Sequence, residues 1–507
     1  MLDQLPSLWD RTTSRTHAEP APSPSIDGRH ADVVVIGAGI TGLTAAILLM
    51  ERGRSVIVLD KEGVMAGDSG RTTAHLTESI DARYHTLKRQ FGLDAMRDVA
   101  AASRAAIDTI ETLATRYAID CRFRRLPGYL YTEKRSQVAP LKSEAASAKD
   151  CGVAASFITD VPLPFPTRAA VRFEQQAQMH PGAYLQGLAA QLGERIVSGV
   201  RVENVTEGAP CVLATDRGRV TAGAVFIATH TPLNDVFTTQ FKVAAYRTYV
   251  IAARVQGVHP EGLFWDTADP YHYTRWQETD DGTYIIVGGA DHKVGQEPEG
   301  DPFDTLLAFA RERFGMAAMP IRWSGQILET IDGLPYIGRN LGAEHVYLST
   351  GYAGQGMTFG TVGASLVADL ITGVANPLAA IFDPKRISAS KELITENVDY
   401  PLHLLKDRVL QLDVETTRTF DVKSGQGKIV LHGTRKLAVA RDEAGQLHAL
   451  SPVCTHMKCD VAWNGTERSW DCPCHGSRFS IDGAVLNGPA SEPLERVAIE
   501  EEDKTRL

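Results

Sequence analysis

The chain has 507 residues, a formal net charge of −10 at pH 7, and a composition that is 43% apolar and 22% charged. This length exceeds one ordinary hydrophobic core, so we expect a globular protein of two or three domains. The lack of a basic stripe or lysine block argues against a nucleic-acid partner. No stretch approaches the roughly 18 uninterrupted apolar residues of a membrane span, and the N-terminus has no apolar signal core, so we expect a cytoplasmic location.

Residues 1–30 are rich in Pro, Ser and Thr and show no hydrophobic periodicity. This pattern predicts an extended or partly disordered N-terminal arm, with Trp9 as a candidate anchor.

Residues 32–60 read DVVVIGAGITGLTAAILLMERGRSVIVLD and predict a buried strand, a glycine turn, an apolar helix and a second buried strand. Gly37 allows the turn, Gly39 lets the backbone approach a pyrophosphate, and Gly42 lets helix and strand pack closely. The helix N-terminus presents N–H groups to the phosphates, and Asp60 stands where a ribose hydroxyl needs an acceptor. A glycine turn for packing alone is the alternative, but the complete βαβ unit favours a dinucleotide site.

The sequence between residues 63 and 373 predicts a mixture of further helices and strands. Residues 63–77 are dense in Gly, Ser and Thr, so they predict either a plain surface loop or a loop that donates hydrogen bonds to a cofactor. Residues 80–117 predict an amphipathic helix broken near Gly92, and residues 241–287 alternate as in an antiparallel sheet. A second glycine-rich turn begins the stretch 351–373 and leads into a long apolar helix.

The order of these motifs resembles the D-amino-acid oxidase-like flavoproteins, which include the glycine and sarcosine oxidases. The resemblance rests on the first glycine motif, the loop through residues 70–73, the strand end ATHTP, the motif DGLPYIG and the turn STGYAGQGMT, and it covers roughly residues 30–380. It implies an α/β Rossmann-like FAD-binding domain with an inserted antiparallel β-sheet substrate domain within about residues 241–330. It also implies non-covalent FAD, because ILETIDGLP lacks the cysteine to which some sarcosine oxidases attach flavin.

The resemblance assigns twenty residues to the FAD site, and these are Gly37, Gly39, Ile40, Thr41, Gly42, Asp60, Lys61, Gly70, Arg71, Thr72, Thr73, Val202, Ala228, Gly351, Tyr352, Gly354, Gln355, Gly356, Met357 and Thr358. The sheet that roofs the flavin in this family contains the candidate substrate contacts Arg247, Tyr249, His272, Tyr273 and Arg275. An arginine there would clamp a carboxylate, and a tyrosine or histidine would orient it. His75, just after the loop through residues 70–73, is a further candidate. The alternative for these residues is that they have no function, because strand tyrosines and surface arginines are common.

Residues 411–507 change character to short β-like runs with glycine turns, after a connecting segment at 381–410. The sequences CTHMKC and CPCHGSRF supply two thiolates and two imidazoles, from Cys454, His456, Cys472 and His475. This set suits a Rieske [2Fe–2S] centre, and a Cys₂His₂ zinc site is the alternative.

Three features resemble Rieske proteins rather than zinc sites. Each loop has one extra cysteine, and in Rieske proteins this pair, here Cys459 and Cys474, forms a disulfide over the cluster. The resemblance also assigns Ser477 as a donor to a cluster sulfur and NGPA (487–490) as a covering loop. High-potential Rieske proteins have a tyrosine where this chain has Phe479, so we expect a lower reduction potential. The C-terminal region is therefore expected to be an all-β Rieske domain, with a disulfide that is unusual for the cytosol.

FAD accepts two electrons together and a [2Fe–2S] cluster passes one at a time, so the pair predicts an electron-converting oxidoreductase. A Rieske oxygenase is disfavoured, because only 32 residues follow His475. The leading hypothesis is oxidation of a small amine or amino acid at FAD, with transfer through the cluster to a protein or small-molecule acceptor. The alternatives are a reductase that delivers electrons to a partner oxygenase or reductase, and a redox sensor without turnover.

Overall fold

A computed structural model describes residues 5–13, 25–233, 240–317, 319–386, 422–432 and 435–498. Most of the predicted 381–410 connecting segment, residues 1–4 and 14–24 of the predicted arm, and the start and end of the predicted Rieske domain lie outside these ranges. No helix in the described part of the chain is long and apolar enough to cross a lipid bilayer.

The helices of the described residues are α1 (Leu8–Thr12), α2 (Ile40–Glu51), α3 (Tyr84–Phe91), α4 (Leu93–Arg116), α5 (Val138–Asp150), α6 (Pro181–Leu192), α7 (Pro302–Phe314), α8 (Gly356–Ile371) and α9 (Leu378–Ile381). The strands are β1 (Arg29–Ile36), β2 (Val56–Asp60), β3 (His75–Leu76), β4 (Arg124–Thr132), β5 (Ala155–Ile158), β6 (Ala169–Gln178), β7 (Ile196–Ser198), β8 (Val202–Thr206), β9 (Cys211–Thr215), β10 (Gly218–Ile227), β11 (Val243–Val255), β12 (Leu263–Asp266), β13 (His272–Thr279), β14 (Gly282–Lys293), β15 (Ile321–Thr330), β16 (Tyr336–Arg339), β17 (Val346–Thr350), β18 (Gly427–His432), β19 (Arg435–Arg441), β20 (Leu447–Leu450), β21 (Ala462–Asn464), β22 (Ser469–Asp471), β23 (Arg478–Phe479) and β24 (Val485–Asn487).

The first sheet has eight strands and is built around parallel β1, with the order β16-β17-β10-β1-β2-β7 and with β8 and β9 attached to β10. Val33 of β1 pairs with Val56 of β2 and with Ala224 of β10, so the carboxyl ends of three parallel strands meet at one edge. Helix α2 is buried on nearly every side between this sheet and α8. The predicted βαβ unit is therefore the centre of a Rossmann-like layer, as expected for ligand binding at that edge.

The second sheet has nine strands in the order β15-β11-β14-β13-β12-β4-β6-β3, with β5 beside β6. Its pairings are antiparallel except for β12 with β4, which run parallel. Four of its strands come from residues 75–178, so this sheet is wider than the predicted insertion at 241–330. The sequence prediction missed this because β6 is buried on both faces in part of its length and shows no clean alternation.

Helix boundaries follow local sequence signals. The predicted helix at residues 80–117 is two helices, because Gly92 between α3 and α4 has φ +86°. Helix α7 begins at Pro302 after Asp301, whose side chain accepts a hydrogen bond from the Phe303 N–H, and it ends at a left-handed Gly315. The prediction of an extended arm was wrong for the described residues 5–13, because they contain the short helix α1, which Ser7 caps.

The C-terminal region contains a three-stranded sheet, β18-β19-β20, and a four-stranded sheet, β21-β22-β23-β24. The strand pairings in both sheets are antiparallel and the described residues of this region include no helix, which confirms the all-β prediction. One apolar cluster there includes Cys454, Cys472, Trp470 and Phe479, so the two cysteine-containing loops share a core.

Candidate functional site

A cavity of about 2200 Å³ runs from the glycine turn after β1 to the loops of the C-terminal sheets. Its wall includes the loop after β2, the turn before α8, the loop before β21 and the segment that begins at β24. The cavity is thus shared by the Rossmann-like layer, the nine-stranded sheet and the C-terminal region.

The glycine turn fits a pyrophosphate because side chains are excluded from it. Gly37 has φ +111°, and a Cβ there would lie 2.5 Å from the Ala228 carbonyl oxygen. A Cβ on Gly42 would collide with the Gly37 carbonyl oxygen, so Gly42 allows the helix to approach the strand. Helix α2 begins at Ile40 after Gly39, which has no side chain to cap it, and this end of the helix lines the cavity. The Ile40 N–H itself donates to the Ser69 hydroxyl at 3.1 Å. An N-terminus that opens into a cavity is suited to bind phosphate.

Asp60 lies at the end of β2, on the cavity wall. Its carboxylate accepts hydrogen bonds from the N–H groups of Ala38 and Gly63, both at 2.7 Å, and of Glu62 at 2.9 Å. These contacts hold the acid beside the glycine turn, which is the position that a ribose acceptor requires.

Sixteen of the twenty residues assigned to FAD line this cavity, and these are Gly37, Gly39, Ile40, Thr41, Asp60, Lys61, Arg71, Thr72, Thr73, Val202, Ala228, Tyr352, Gly354, Gln355, Gly356 and Met357. The other four lie behind the wall. A Cβ on Gly70 would collide with the Met65 carbonyl, and one on Gly351 would collide with Thr330. Gly42 packs on the glycine turn, and the Thr358 hydroxyl accepts a hydrogen bond from the Thr77 N–H.

Three consecutive carbonyl groups in the loop after β2 are each held by a side-chain N–H from a distant part of the chain. Trp323 donates to the Arg71 carbonyl at 2.8 Å, and Trp9 donates to the Thr72 carbonyl at 2.6 Å. Arg275 donates to the Thr73 carbonyl. Trp9 and Trp323 are fully buried, so these contacts fix the loop from the side away from solvent. Sequence reasoning missed Trp323 and identified Trp9 only as an anchor of the arm.

The structure separates the candidate substrate contacts. Arg247 and Tyr273 line the cavity, whereas Tyr249, His272 and Arg275 do not. Tyr249 is fully buried beside His292, and His272 binds Asp266 at 2.9 Å. The guanidinium of Arg275 donates hydrogen bonds to the Thr73 carbonyl, the Gln277 side chain and the Met179 carbonyl. Strand alternation accounts only for His272, which lies on the opposite face of β13 from Tyr273. Arg275 shares the face of Tyr273 but is bonded to protein groups, and a β-bulge separates Tyr249 from Arg247 on β11.

Tyr271, Asp81 and Thr248 also line the cavity and were not predicted. Tyr271 and Tyr273 are two residues apart at β13, so strand alternation was the signal that would have found Tyr271. No local signal identifies Asp81. Solvent reaches Asp81 through the cavity, yet the surrounding protein desolvates its carboxylate and raises its pKa. Asp291 lies behind Thr248, and burial raises its pKa to about 7.

The second group of predicted site residues converges in the C-terminal region. Cys454 and His456 lie in the loop before β21, and Cys472 and His475 lie in the loop before β23. Each loop closes on itself, since the Cys454 N–H binds the Cys459 carbonyl and the Cys472 N–H binds the Ser477 carbonyl, both at 2.8 Å.

The donor set fits an iron–sulfur cluster with mixed sulfur and nitrogen ligands. Both thiols are buried, and the rings of His456 and His475 lie 5.1 Å apart. His456 Nε2 is buried without a hydrogen-bond partner among the described residues. Burial lowers the pKa of His456 to about 4 and that of His475 to about 3, so both imidazoles are neutral, as metal ligation requires.

The residues around this set also have the expected contacts. Cys459 and Cys474 form a disulfide between the two loops. The Ser477 hydroxyl bonds to Cys454 and accepts a hydrogen bond from the Ala490 N–H at 3.0 Å, so it joins the ligand loop to the NGPA segment. Phe479 is fully buried in the core beneath the cysteines.

A buried ionic network joins the C-terminal region to the nine-stranded sheet. Glu467 accepts from Arg247 at 2.6 and 2.7 Å and from Arg478 at 2.9 Å. Burial would raise the pKa of Glu467, but the two arginines outweigh it and lower the pKa to about 2. The backbone is closely packed here too, since a Cβ on Gly295 would lie 2.5 Å from Pro473. The predicted substrate clamp Arg247 therefore holds the two regions together.

Comparison with known proteins gives two family matches. Residues 32–370 match the FAD dependent oxidoreductase family (DAO), and residues 414–498 match the Rieske [2Fe-2S] domain. The sequence is 32% identical over 509 residues, 98% of each chain, to the "Putative Rieske 2Fe-2S iron-sulfur protein YhfW" of Bacillus subtilis (strain 168). It is 26% identical over 373 residues to gamma-glutamylputrescine oxidoreductase of Escherichia coli (strain K12), covering 68% of this chain and 84% of the relative.

Solved structures share the fold. Glycine oxidase from Geobacillus kaustophilus superposes with a TM-score of 0.59 at 18% identity, over 71% of this chain and 99% of that chain. The L-amino acid deaminase of Proteus vulgaris superposes with a TM-score of 0.59 at 16% identity, over 71% and 97%.

The chain therefore belongs to the DAO family of FAD-dependent oxidoreductases. It carries a C-terminal Rieske [2Fe-2S] domain, so it is a flavoprotein oxidoreductase whose cofactors are FAD and a Rieske cluster. The Rieske match decides between the two alternatives for the cysteine and histidine set, in favour of iron and sulfur and against zinc.

Proposed function

We propose that this protein is a dehydrogenase that oxidises a C–N bond of a small amine or amino acid and delivers the electrons singly to an external acceptor. When bound, FAD accepts two electrons together, whereas a [2Fe–2S] cluster passes them one at a time. We further propose that FAD is held non-covalently, and that residues 31–380 and 411–507 are the two functional regions, joined by 381–410.

The observation that carries the proposal is the continuity of the cavity. Its wall contains the glycine turn at Gly37 and Gly39, and also contains the predicted cluster ligand His456. A cluster ligand on the wall of the flavin cavity supports electron exchange between the two cofactors, rather than between the cluster and a distant partner alone.

The contacts between the regions support the same conclusion. Glu467 of the C-terminal region is buried against Arg247 of the nine-stranded sheet, and Gln326 donates to the Gly476 carbonyl at 2.7 Å. The ring of Phe241 packs edge-on against His475, with centroids 5.3 Å apart. These residues hold the second ligand loop and the turn between β21 and β22 against the flavoprotein region, which supports direct electron exchange between the two cofactor sites.

The relatives support a nitrogen-containing substrate. They include an oxidoreductase of gamma-glutamylputrescine and, at the level of fold, a glycine oxidase.

The test is anaerobic titration of the holoprotein with a series of amines and amino acids, followed by visible absorbance and by electron paramagnetic resonance. We expect a substrate to bleach the flavin and then to produce the signal of a reduced Rieske cluster. Cys454→Ser is the matched variant, in which the flavin should still bleach but no cluster signal should follow. Bleaching by NAD(P)H with none by the series would overturn the proposal in favour of a reductase. Redox changes that occur only with a protein partner would favour a sensor.

A further inference from the structure

One part of the cavity has a distinctive lining, and we call it the tyrosine chamber. Its lining residues are His75, Asp81, Thr248, Tyr271, Tyr273 and Gln355. The Asp81 carboxylate and the Tyr271 hydroxyl approach the same point at Gly354, each 2.9 Å from where a Cβ of that glycine would lie. Tyr273 bonds Thr248 at 2.7 Å, and its ring lies 5.5 Å from that of Tyr271. The chamber therefore lies where the turn before α8 meets β13.

The lysine and arginine side chains that line the cavity within the described residues all have partners. Arg247 is bonded to Glu467 and Ser324, and Arg71 is paired with Asp10 at 3.3 Å. Arg201 donates to the Ser491 carbonyl at 2.8 Å, and Lys61 is paired with Glu62 at 3.2 Å. A substrate carboxylate would therefore compete with existing partners, and at Arg247 it would have to displace a buried carboxylate.

The carboxylates at the chamber, in contrast, have no ion-pair partner within 4.0 Å among the described residues. Asp81 accepts a hydrogen bond from the Gly354 N–H at 3.0 Å. Asp291, bonded to Thr248 behind the wall, has an oxygen, Oδ1, that is buried without a hydrogen-bond partner among the described residues. Burial raises the pKa of both carboxyl groups, and for Asp81 this effect outweighs the opposing charge of Arg83.

A neutral acceptor in the chamber also lacks a donor. The Gln355 side chain is only 4% exposed and lines the cavity, yet its Oε1 has no hydrogen-bond partner in the described ranges. Gln355 follows Gly354 in the chain, so this oxygen belongs to the same corner as Asp81. Aromatic faces complete the lining, and aromatic rings beside a carboxylate are the surroundings that bind an alkylammonium ion.

We infer that the tyrosine chamber binds the ammonium end of an alkylamine that bears no carboxylate on its reacting carbon, with Asp81 and Asp291 as the specificity-determining charges. The inference rests on the proposed function and narrows it from amines and amino acids to amines. Glu467 contributes to this preference from the Rieske domain, because it neutralises the cavity arginine that would otherwise attract a carboxylate.

The reaction is balanced with the cofactor of the family as oxidant. The ammonium group R–CH₂–NH₃⁺ loses one proton from nitrogen, and a hydride equivalent, which carries two electrons, leaves the adjacent carbon. The iminium R–CH=NH₂⁺ remains, and addition of water gives the aldehyde R–CHO and NH₄⁺. The two electrons leave the protein through two one-electron transfers to the external acceptor.

The test compares amines with the amino acids that differ from them only by the carboxylate, in anaerobic flavin reduction by the holoprotein. The pairs are 1,4-diaminobutane with ornithine, 1,5-diaminopentane with lysine, and ethylamine with alanine. We expect each amine to half-saturate flavin reduction at a concentration at least roughly tenfold below that of its amino acid. Asp81→Asn and Asp291→Asn should each raise the half-saturating concentration of the amines by roughly tenfold or more. The amino acids should change less, because the loss of a negative charge also relieves the repulsion of their carboxylate, so the preference for the amine should shrink.

Asp98→Asn is the matched control, because Asp98 is exposed on α4 and does not line the cavity. Flavin content and the cluster signal verify that each variant is folded. The inference would be overturned if the amino acids half-saturate flavin reduction in the wild type at concentrations equal to or below those of their amines. It would also be overturned if Asp81→Asn and Asp291→Asn both leave the half-saturating amine concentrations unchanged.

A second measurement separates this inference from the proposed function. The flavin absorbance is titrated with tetramethylammonium chloride and with sodium acetate, neither of which can be oxidised here. We expect a difference spectrum with the cation and none with acetate. If no amine or amino acid bleaches the flavin, the proposed dehydrogenase function fails. In that case the titration still tests whether the chamber prefers a cation, and a difference spectrum with acetate alone would overturn the inference.

Discussion

The two cofactor regions of this protein are assembled over very different lengths of chain. The four predicted cluster ligands lie between Cys454 and His475, in two loops that each close on themselves. The flavin cavity is lined by residues from Pro6 to Pro493 and depends on contacts such as Trp9 with Thr72 and Arg275 with Thr73.

This difference has consequences for stability and for function. A locally encoded site depends chiefly on its own ligands, so removing one ligand should abolish it and leave the rest of the molecule intact. A site assembled from distant segments should instead lose function gradually as each supporting contact is removed.

Cys454→Ser should have the largest effect, because the cluster requires all of its ligands. We expect iron and sulfide content to fall by roughly tenfold or more, with FAD content unchanged. Iron analysis, flavin absorbance and the Rieske resonance signal measure this. Cys151→Ser is the control, since Cys151 is buried in a different apolar cluster from the ligand cysteines and should leave the cluster complete. A full cluster in Cys454→Ser would contradict the assignment of the site.

Glu467→Gln should destabilise the junction between the regions. The substitution leaves Arg247 and Arg478 buried without their shared carboxylate, which costs roughly 3–5 kcal/mol. The free energy of unfolding from denaturant titration, followed by both flavin and cluster absorbance, measures the change. Glu443→Gln is the matched control, because its pair with Arg468 is exposed and worth about 0–1 kcal/mol. Equal effects of the two substitutions would argue against the buried junction.

The same carboxylate predicts an acid-sensitive junction. The pKa of Glu467 is lowered from 4.5 to about 2 in the folded protein. A group with a lowered pKa contributes stability above its unfolded value, so this contribution of about 3 kcal/mol is present at pH 7 and lost as the pH falls from about 4.5 toward 2. Unfolding midpoints measured across this window should fall more steeply for wild type than for Glu467→Gln. Parallel curves would contradict the prediction.

Trp9→Phe should weaken the flavin site without abolishing it. The substitution leaves the Thr72 carbonyl without its donor, at a cost of about 1–2 kcal/mol, which is roughly a tenfold loss of FAD affinity. Reconstitution of the apoprotein with FAD, followed by quenching of flavin fluorescence, gives this affinity. Trp463→Phe is the control, because it removes a buried indole N–H that has no partner among the described residues. If both variants bind FAD as tightly as wild type, the carbonyl contact is unimportant.

Phe479→Tyr should have the smallest effect and raise the reduction potential of the cluster. A new hydroxyl donor near a ligand cysteine would stabilise the reduced state by about 0.5–1.5 kcal/mol, which corresponds to about 20–65 mV for one electron. Redox titration of both proteins measures it, with Phe479→Leu as a variant that changes packing but adds no donor. An unchanged potential in Phe479→Tyr would show that Phe479 serves only the core.

Local patterns allowed much of the fold and of the cofactor set to be predicted. The βαβ unit was predicted because its glycines, helix and terminal acid lie within 29 consecutive residues. Gly92 was predicted as a break because glycine adopts a positive φ readily. The strand β6 shows the limit, since it is buried on both faces in part of its length and was not predicted.

The sequence by itself determined the Rossmann-like unit, the two cofactor motifs and the all-β character of the C-terminal region, because each depends on residues close together in the chain. Only the tertiary structure decided the role of Arg247, which is paired with Glu467 from 220 residues away. It also decided which face of β13 meets the cavity, and it brought Asp81 beside Tyr271. The physical reason is that charge pairing and burial depend on partners across the fold, and no local pattern specifies those partners.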